Sequence, residues 1–226
     1  MVPAAPDQLN RGDLEPGMLK LFGRRNALNV QKVMWFVGEL ALQLERVDRG
    51  GPFGGNRDPE YLALNPNGTV PTLVDGDFVL WESNAVVRYL GESYGGPPWV
   101  PDDRHGRALA GQWMDWSNAV IIRRIAPLIE GLREPAARRD AAAIAAHRDR
   151  VAEAWTVLDD HLADRDYILG AAPTIADVAL GAVVNRWYVL PIERPARPRL
   201  ERWYGRLRER PAYRHHVLFE DRLVDS

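Results

Sequence analysis

The sequence predicts two domains of different class, a small α/β domain followed by an all-helical domain. Short apolar strand patterns alternate with helical periods as far as the Gly/Pro-rich stretch Gly95–Pro98, and beyond Arg104 the strand signal nearly vanishes. A chain of 226 residues is long for one hydrophobic core and sufficient for two small ones. We therefore expect domains at residues 19–97 and 104–226, joined by a linker at residues 98–103.

The elements of the first domain are predicted in the order strand, helix, strand, helix, strand, strand, helix. The first helix is predicted by apolar residues at i, i+3, i+4 and i+7 from Val30. Asp75-Gly76-Asp77 between two strand patterns is typical of a hairpin turn. Strands are predicted at Leu19–Phe22, Leu42–Val47, Val70–Val74 and Phe78–Trp81, and the later helices at Pro59–Leu64 and after Ser83, which we expect to be an N-cap.

The second domain has helical periods only. A long pattern runs from Leu109 to Ile129, and we expect a break near Pro127 because proline cannot donate to the helix. An Ala-rich helix with one apolar stripe is predicted over residues 136–163. Two or three further helices follow, separated by Pro191–Pro198 and by Pro211.

The composition excludes several classes of function. The chain has no cysteine, so disulfides, cysteine-ligated metals and chemistry on the protein's own thiol are absent. No apolar run approaches the ~20 residues that span a bilayer, and the net charge of −2 gives no footprint for nucleic acid. Residues 1–18 lack a signal-peptide core and are predicted to be a flexible tail, which favours a cytoplasmic protein without a membrane partner. His215–His216 lacks partners at metal-ligand spacing and is expected at the surface.

Three motifs in a fixed order resemble the cytosolic glutathione transferase superfamily of bacterial type. The likeness extends from Leu19 to about Leu218 and implies a thioredoxin-like first domain joined to an all-helical second domain. It also implies glutathione as substrate or cosubstrate, a small apolar second substrate, a detoxifying role and a homodimer formed through the helix after Ser83 and the long helix after Arg104. The motifs are Leu21–Val33, Asn65–Pro71 with Leu80–Ala85, and Pro173–Ala179.

The resemblance implies where glutathione binds. In the family the proline at Pro71 is cis, and Val70, next to Thr69, turns its backbone N–H and C=O toward the cysteinyl part of glutathione. The start of the following helix offers unpaired N–H groups to a carboxylate. Ser83 adds a hydroxyl donor and Glu82 can pair with an ammonium, so together they match both charges of the γ-glutamyl end.

The sequence departs from the family at the residue that activates the thiol. The usual serine or cysteine falls at Ala27, which lines the glutathione site but has no donor. Lowering a thiol pKa from ~8.5 by ~2 units requires about 2.7 kcal/mol of thiolate stabilisation. The candidates are the helix N-terminus, the amides of Asn26 and Asn29, and the guanidinium of Arg24 or its neighbour Arg25. Asn26 as a turn former and Asn29 as an N-cap remain alternatives.

Two further sets of residues complete the expected site. The glycyl carboxylate is assigned to Asn56, with Arg57 beside it in the loop before the second helix. Aromatic walls suit an apolar electrophile, although Trp113 and Trp116 could instead be core or dimer contacts. The expected second-substrate pocket consists of Trp113, Trp116, Arg123, Trp187 and Tyr188, with Ile122 nearby.

The leading hypothesis is an enzyme that conjugates glutathione to apolar electrophiles or uses it to reduce disulfides. The alternative is a non-catalytic glutathione-fold carrier or interaction module, which Ala27 favours because the usual donor is missing. Thr174 and Asp177 form a capping box, to which we assign a purely structural role.

Overall fold

The computed structural model describes residues 18–218, so the expected tail, apart from Met18, and the last residues of the chain lie outside the described residues. The first domain contains a four-stranded sheet in the order β2-β1-β3-β4, in which β1 and β2 are parallel and the other neighbours antiparallel. Its elements are β1 Leu19–Phe22, α1 Leu28–Glu39, β2 Leu44–Val47, α2 Pro59–Leu64, β3 Thr72–Asp75, β4 Phe78–Trp81 and α3 Ser83–Leu90.

Two predicted strands begin later than the sequence suggested. β3 begins at Thr72 rather than Val70, because Pro71 has no N–H for the ladder and its peptide bond with Val70 is cis, as the resemblance implied. β2 begins at Leu44 rather than Leu42, because the N–H of Leu42 donates to Val37 and so belongs to the end of α1.

The register of the sheet brings four loops to one edge. Phe22, the last residue of β1, is paired with Val47 at the end of β2 and with Thr72 at the start of β3. Thr72 is in turn paired with Trp81, the last residue of β4. The loops after β1, after β2, before β3 and after β4 therefore meet at the same end of the sheet.

Helix α1 lies between the two domains and is buried on nearly all sides. It packs on α3 in the first domain and on α7 and α9 in the second. Trp35 of α1 contacts Tyr213 edge to face, with 4.7 Å between the ring centroids. A Cβ at Gly181 would lie 2.2 Å from the Trp35 ring, so only glycine permits this approach. The two domains thus share one continuous core.

The described part of the second domain is entirely helical apart from one isolated bridge. Helix α4 begins at Arg104, five residues earlier than predicted, because the carboxylate of Asp103 accepts from the N–H groups of His105 and Gly106. The helices are α4 Arg104–Trp116, α5 Arg123–Arg133, α6 Ala141–His161, α7 Ile175–Val189, α8 Pro198–Glu209 and α9 Pro211–His216.

The predicted break at Pro127 was wrong. Helix α5 runs through Pro127, and the departure from α geometry is a π-helical turn at Ser117–Ile122. Proline removes one i→i−4 hydrogen bond, a loss that the adjoining π-helical turn accommodates without ending the helix. No helix within residues 18–218 combines the length and apolar character needed to cross a bilayer.

The capping box at the start of α7 is present as predicted. Asp177 is fully buried and accepts from the N–H of Thr174 at 2.8 Å and from the Thr174 hydroxyl at 3.1 Å. It also accepts from the N–H of Ile168 at 3.0 Å and from Nε1 of Trp203 at 2.9 Å. Burial raises the pKa of this carboxyl group above its usual value. Asp177 therefore joins three segments of the helical domain.

The two adjacent histidines differ in their surroundings. His215 is exposed, as expected, but His216 is partly buried against Gly38 of α1. Burial, with the nearby His215 and Arg25, lowers the pKa of His216 to about 4. The described residues contain no group of three acidic or imidazole side chains that could hold a metal ion.

Candidate functional site

The cis peptide Val70-Pro71 lies at the edge where the four loops meet. The chain leaving β1 passes close to it, since a Cβ at Gly23 would lie 3.2 Å from Val70 and 2.4 Å from Val30. The side chain of Val70 also lies near Gly50 in the loop after β2. This approach of three loops leaves the backbone of Val70 at the rim of the sheet, next to the start of α1.

A buried polar network fixes the loop before β3. The Tyr61 hydroxyl donates to the carbonyl of Thr69 at 2.6 Å, and Asn65 Nδ2 donates to the same carbonyl at 3.0 Å. Both side chains also contact the Thr72 hydroxyl, at 2.8 and 3.1 Å. Burial raises the pKa of Tyr61, so the phenol remains a donor at neutral pH. The network holds the peptide groups that flank Val70 in one orientation.

Helix α3 begins at this edge without a side-chain cap. The residue before it, Glu82, has φ +72°, a left-handed conformation that costs a non-glycine residue roughly 1–3 kcal/mol. Ser83 is the first helical residue, so its predicted role as N-cap was wrong. Its hydroxyl oxygen instead accepts a hydrogen bond from Lys32 Nζ at 3.0 Å. The first backbone N–H groups of α3 therefore have no side-chain cap and are available to bind an anion.

Lys32 is buried beneath the start of α3. Its side chain is 1% exposed, and Nζ donates to Ser83 Oγ and, at 2.8 Å, to Asn84 Oδ1. Asn84 is held in place by donating from Nδ2 to the carbonyl of Met114 at 2.5 Å. Burial lowers the pKa of Lys32 to about 7, against the opposing effect of the Glu82 carboxylate.

Helix α1 also begins at this edge without a side-chain cap. Ala27 is the N-cap, and its carbonyl accepts from the N–H groups of Val30 and Gln31 at 2.9 Å. Asn29 lies in the first turn, so the alternative that it caps the helix was wrong. Its Oδ1 is buried and has no hydrogen-bond partner among the described residues. The N-terminal N–H groups of α1 are available to a negatively charged atom.

The turn before α1 is tied to both domains. The N–H of Arg24 donates to the carbonyl of Arg49 at 3.0 Å, and the Arg24 side chain lies over the backbone of Gly51, which has φ +58°. The carbonyl of Asn26 accepts from Nη2 of Arg186, a residue of α7 that is 6% exposed. The sequence-predicted group of Arg24, Asn26, Ala27 and Asn29 is thus assembled around one helix start.

Asn56 lies in the loop after β2, as the sequence suggested, but its amide is partly engaged. Nδ2 of Asn56 donates to the carbonyl of Gly68 at 2.7 Å, which fastens this loop to the loop before β3. Arg57 is exposed and donates to the carbonyl of Asn67 at 3.4 Å. Asn56 therefore stabilises the site while retaining a second N–H that a carboxylate could accept from.

The structure does not gather the expected second-substrate residues into one pocket. Trp113 is 6% exposed and packs on Trp116 and His161, with ring centroids 5.2 and 4.6 Å away. Trp187 is 1% exposed. Both of these tryptophans belong to the helical core, because the tight packing around them leaves almost no surface for a ligand.

The other residues expected in that pocket are more accessible. Trp116 is half-buried and lies 6.4 Å from the Trp155 ring. Tyr188 is half-buried and stacks on Tyr204 at 4.8 Å, and Arg123 is exposed. These three residues lie on α4, α7 and α5 respectively.

Sequence reasoning missed four residues that contribute to this end of the sheet. Lys32 served only as a landmark within a motif, although Lys20 and Lys32 are the only lysines in a chain whose other cationic side chains are arginines. The Tyr61–Asn65–Thr72 network has no local sequence signal, since its members meet only through the fold. The scarcity of lysine in the chain was the available signal for Lys32.

The fold and the site define a class of two-domain proteins. The first domain has a thioredoxin-like sheet with two uncapped helix starts at one end, and the second domain is helical. Residues 17–92 match the family described as "Glutathione S-transferase, N-terminal domain", and residues 141–206 match "Glutathione S-transferase, C-terminal domain". The chain belongs to the glutathione S-transferase family.

Individual relatives agree with this assignment. The chain is 39% identical over 204 residues to glutathione S-transferase GstB of Escherichia coli strain K12, covering 89% of this chain and 98% of that protein. It is 32% identical to glutathione S-transferase 3 of Zea mays, over 88% and 93% of the two chains. A theta class glutathione S-transferase from Xanthomonas axonopodis pv. citri, solved with glutathione bound, is 42% identical with a TM-score of 0.86 over 90% of this chain and 99% of that one.

Proposed function

We propose that this chain binds glutathione at the end of the sheet where Val70 lies and conjugates it, through its sulfur, to an apolar electrophile. The observation that carries the proposal is the sheet register, which places the cis Val70-Pro71 peptide and the starts of α1 and α3 at one edge. The glutathione-bound structure of the Xanthomonas relative supports the choice of ligand.

Each part of glutathione has a matching group at this edge. The backbone of Val70 pairs with the extended cysteinyl residue, a mode that recognises main chain rather than side chain. The γ-glutamyl carboxylate lies at the start of α3 on the N–H groups and the Ser83 hydroxyl, and the Glu82 carboxylate pairs with the ammonium. Asn56 donates to the glycyl carboxylate, and Thr69 and Ala27 complete the walls.

The thiol is activated at the start of α1. Ala27 has no donor, so the thiolate is stabilised by the free N–H groups of the first turn, by the amide N–H groups of Asn26 or Asn29, and by the positive charge of Arg24. The thiol proton leaves to solvent. The sulfur lone pair then forms the new S–C bond, and the leaving group departs with the bonding electrons.

A disulfide substrate would follow a related course on glutathione alone, because the chain has no cysteine. One glutathione thiolate would form a mixed disulfide and release one substrate sulfur as a thiolate. A second glutathione would then release the other substrate sulfur and leave as oxidised glutathione. The same site serves both reactions.

A non-catalytic carrier is the second candidate function, and Ala27 is the observation that favours it. A site that binds glutathione without lowering the pKa of its thiol would hold the tripeptide or an apolar conjugate and perform no chemistry. The two candidates share the binding contacts and differ only in the state of the sulfur.

Four wider features belong to the same proposal. We place the domain boundary at residues 98–103 and the protein in the cytoplasm. We also propose a homodimer through α3 and α4, a view supported by the exposed aromatic side chains of Phe78, Trp81 and Tyr94 beside α3. The second substrate is expected between the first domain and α4, near Trp116, Arg123 and Tyr188.

The proposal predicts a lowered pKa for the thiol of bound glutathione. We expect the ultraviolet absorbance of the thiolate, titrated in the complex, to give a pKa at least about 1 unit below the ~8.5 of a free thiol. Glutathione titrated alone is the control. A thiol pKa in the complex equal to the solution value rules out thiolate activation and leaves the carrier.

The carboxylate site is tested at Ser83. The substitution Ser83→Ala removes a hydroxyl donor to a charged group, and we expect glutathione affinity measured by calorimetry to fall by about tenfold or more. Ser93→Ala, at an exposed position in the π-helical segment Gly91–Gly95 that follows α3, is the matched control. Unchanged affinity in Ser83→Ala contradicts the assigned position of the γ-glutamyl carboxylate.

A further inference from the structure

Lys32 is a buried cation that joins α1 to the start of α3 by two hydrogen bonds. It lies on α1 between Gln31 and Val33, and all three residues are buried. Within residues 18–218 its ammonium has no carboxylate within 4.0 Å. Removing an ammonium from water without such a partner destabilises a fold. A buried ammonium with that energetic cost, directly beneath the start of α3, points to a functional role.

The hydrogen bonds of Lys32 determine the direction of the Ser83 hydroxyl. An ammonium has donors only, so Ser83 Oγ must accept the bond from Nζ. The hydroxyl proton is then free to be donated, and among the described residues no acceptor takes it. Asn84 is oriented in the same way, since its Oδ1 accepts from Nζ and its Nδ2 donates to Met114.

We propose that Lys32 is a positioning residue of the glutathione site, whose buried ammonium turns the Ser83 hydroxyl outward and supplies the positive charge that the γ-glutamyl α-carboxylate meets at the start of α3. The inference rests on the proposed function and adds to it the source of carboxylate recognition. A compact ammonium suits this place better than the guanidinium used elsewhere in the chain, because it presents a point charge in a small buried space.

Near neutral pH, the group whose charge changes at this place is Lys32 itself. Directly before α3, Glu82 supplies the negative charge that favours the ammonium. On α7, Arg186 faces α1 and donates to Gln31 Oε1 at 3.3 Å. On α9, the pKa of Tyr213 is raised well above 10 and that of His216 is lowered to about 4, so neither titrates near pH 7.

The experiment compares two ligands that differ by one carboxylate. S-methylglutathione removes the thiol titration, and its analogue carrying a 4-aminobutanoyl group in place of γ-glutamyl lacks only the α-carboxylate. We expect Lys32→Gln to weaken the first by about tenfold or more in calorimetry at pH 6 and to leave affinity for the second unchanged. Lys20→Gln, at the other lysine of the chain, is the matched control and binds both ligands as the wild type does.

The pH profile of the wild-type protein gives a readout that a structural role would not produce. Lys32 has a pKa of about 7 without ligand, and a bound carboxylate raises it. Affinity for S-methylglutathione is therefore highest below pH 7 and falls as the pH rises toward about 8, with proton uptake on binding. The analogue without the α-carboxylate shows a flat profile, and Lys32→Gln shows a flat profile for both ligands.

The outcomes separate this inference from the proposed function. Wild-type protein that binds neither compound overturns both. Wild-type protein that binds S-methylglutathione with the same affinity at pH 6 and 8, or a Lys32→Gln variant that loses both ligands equally, overturns the role of Lys32 and leaves glutathione binding intact. The wild-type pH series decides the matter by itself if Lys32→Gln does not fold.

Discussion

Replacing Asp177 by alanine is expected to lower the free energy of unfolding by about 4 kcal/mol, the largest loss we anticipate from one substitution in the chain. The carboxylate is fully buried and accepts from Thr174, Ile168 and Trp203. Its removal leaves several buried donors unsatisfied, each costing about 1–3 kcal/mol, and uncaps α7. Urea denaturation followed by tryptophan fluorescence measures the change.

A second acidic residue provides the comparison for Asp177. Asp164 is exposed and, within residues 18–218, forms an ion pair with its neighbour Arg165 alone, so Asp164→Ala is expected to change stability by about 0.5 kcal/mol or less. A loss below about 1 kcal/mol in Asp177→Ala would mean that its four donor groups find other partners, and would contradict the central position given to this carboxylate.

Replacing Ala27 by serine is expected to raise the activity of the protein. A hydroxyl at the N-cap of α1 would donate to the glutathione sulfur. This hydrogen bond would stabilise the thiolate relative to the thiol by about 1.5–3 kcal/mol, equivalent to roughly 1–2 pKa units. We expect kcat/KM toward an activated aryl halide to increase by about tenfold, with a matching decrease in the pKa of the bound thiol. Both quantities are measured on the same preparation.

The control for Ala27→Ser is Ala27→Gly, which also favours an N-cap but has no donor. A serine variant that is more stable than wild type by about 1 kcal/mol, with an unchanged thiol pKa, would mean that the hydroxyl caps α1 and does not reach the sulfur. That result would place the sulfur away from the start of α1 and contradict the proposed thiol site.

The arrangement of elements was predictable because periodicity is a local property. The strand and helix patterns of the first domain and the Thr174–Asp177 capping box were confirmed with small shifts in bounds. The errors came from interactions that no local pattern contains. Ser83 is the type of residue that caps helices, yet its hydroxyl is occupied by Lys32 from another helix. Pro127 is tolerated because a π-helical turn lies directly before it.

The site was predictable only in part. Val70, Glu82 and Ser83 were predicted from motifs, and the register of the sheet brings them to one end of the sheet. Their role in binding stays a prediction. Trp113 and Trp187 were predicted to line a pocket because aromatic side chains suit apolar ligands. Aromatic side chains suit a hydrophobic core equally well, and sequence periodicity does not distinguish the two roles. Their burial at 6% and 1% assigns them to the core. Lys32 could be understood only after its partners on α3 were known.

The hydrogen bond from Arg186 to the Asn26 carbonyl has a consequence for exchanging domains between relatives. The turn before α1 belongs to the first domain, yet its Asn26 carbonyl accepts a hydrogen bond at 3.2 Å from Nη2 of Arg186 in the second domain. A chimera that joins residues 19–97 to a foreign helical half would keep the residues proposed to bind glutathione and still lose this hydrogen bond, unless the donor carries an arginine at the same place. Exchanging the helical domain is thus expected to change the position of the turn at Asn26, far along the chain from the exchanged residues.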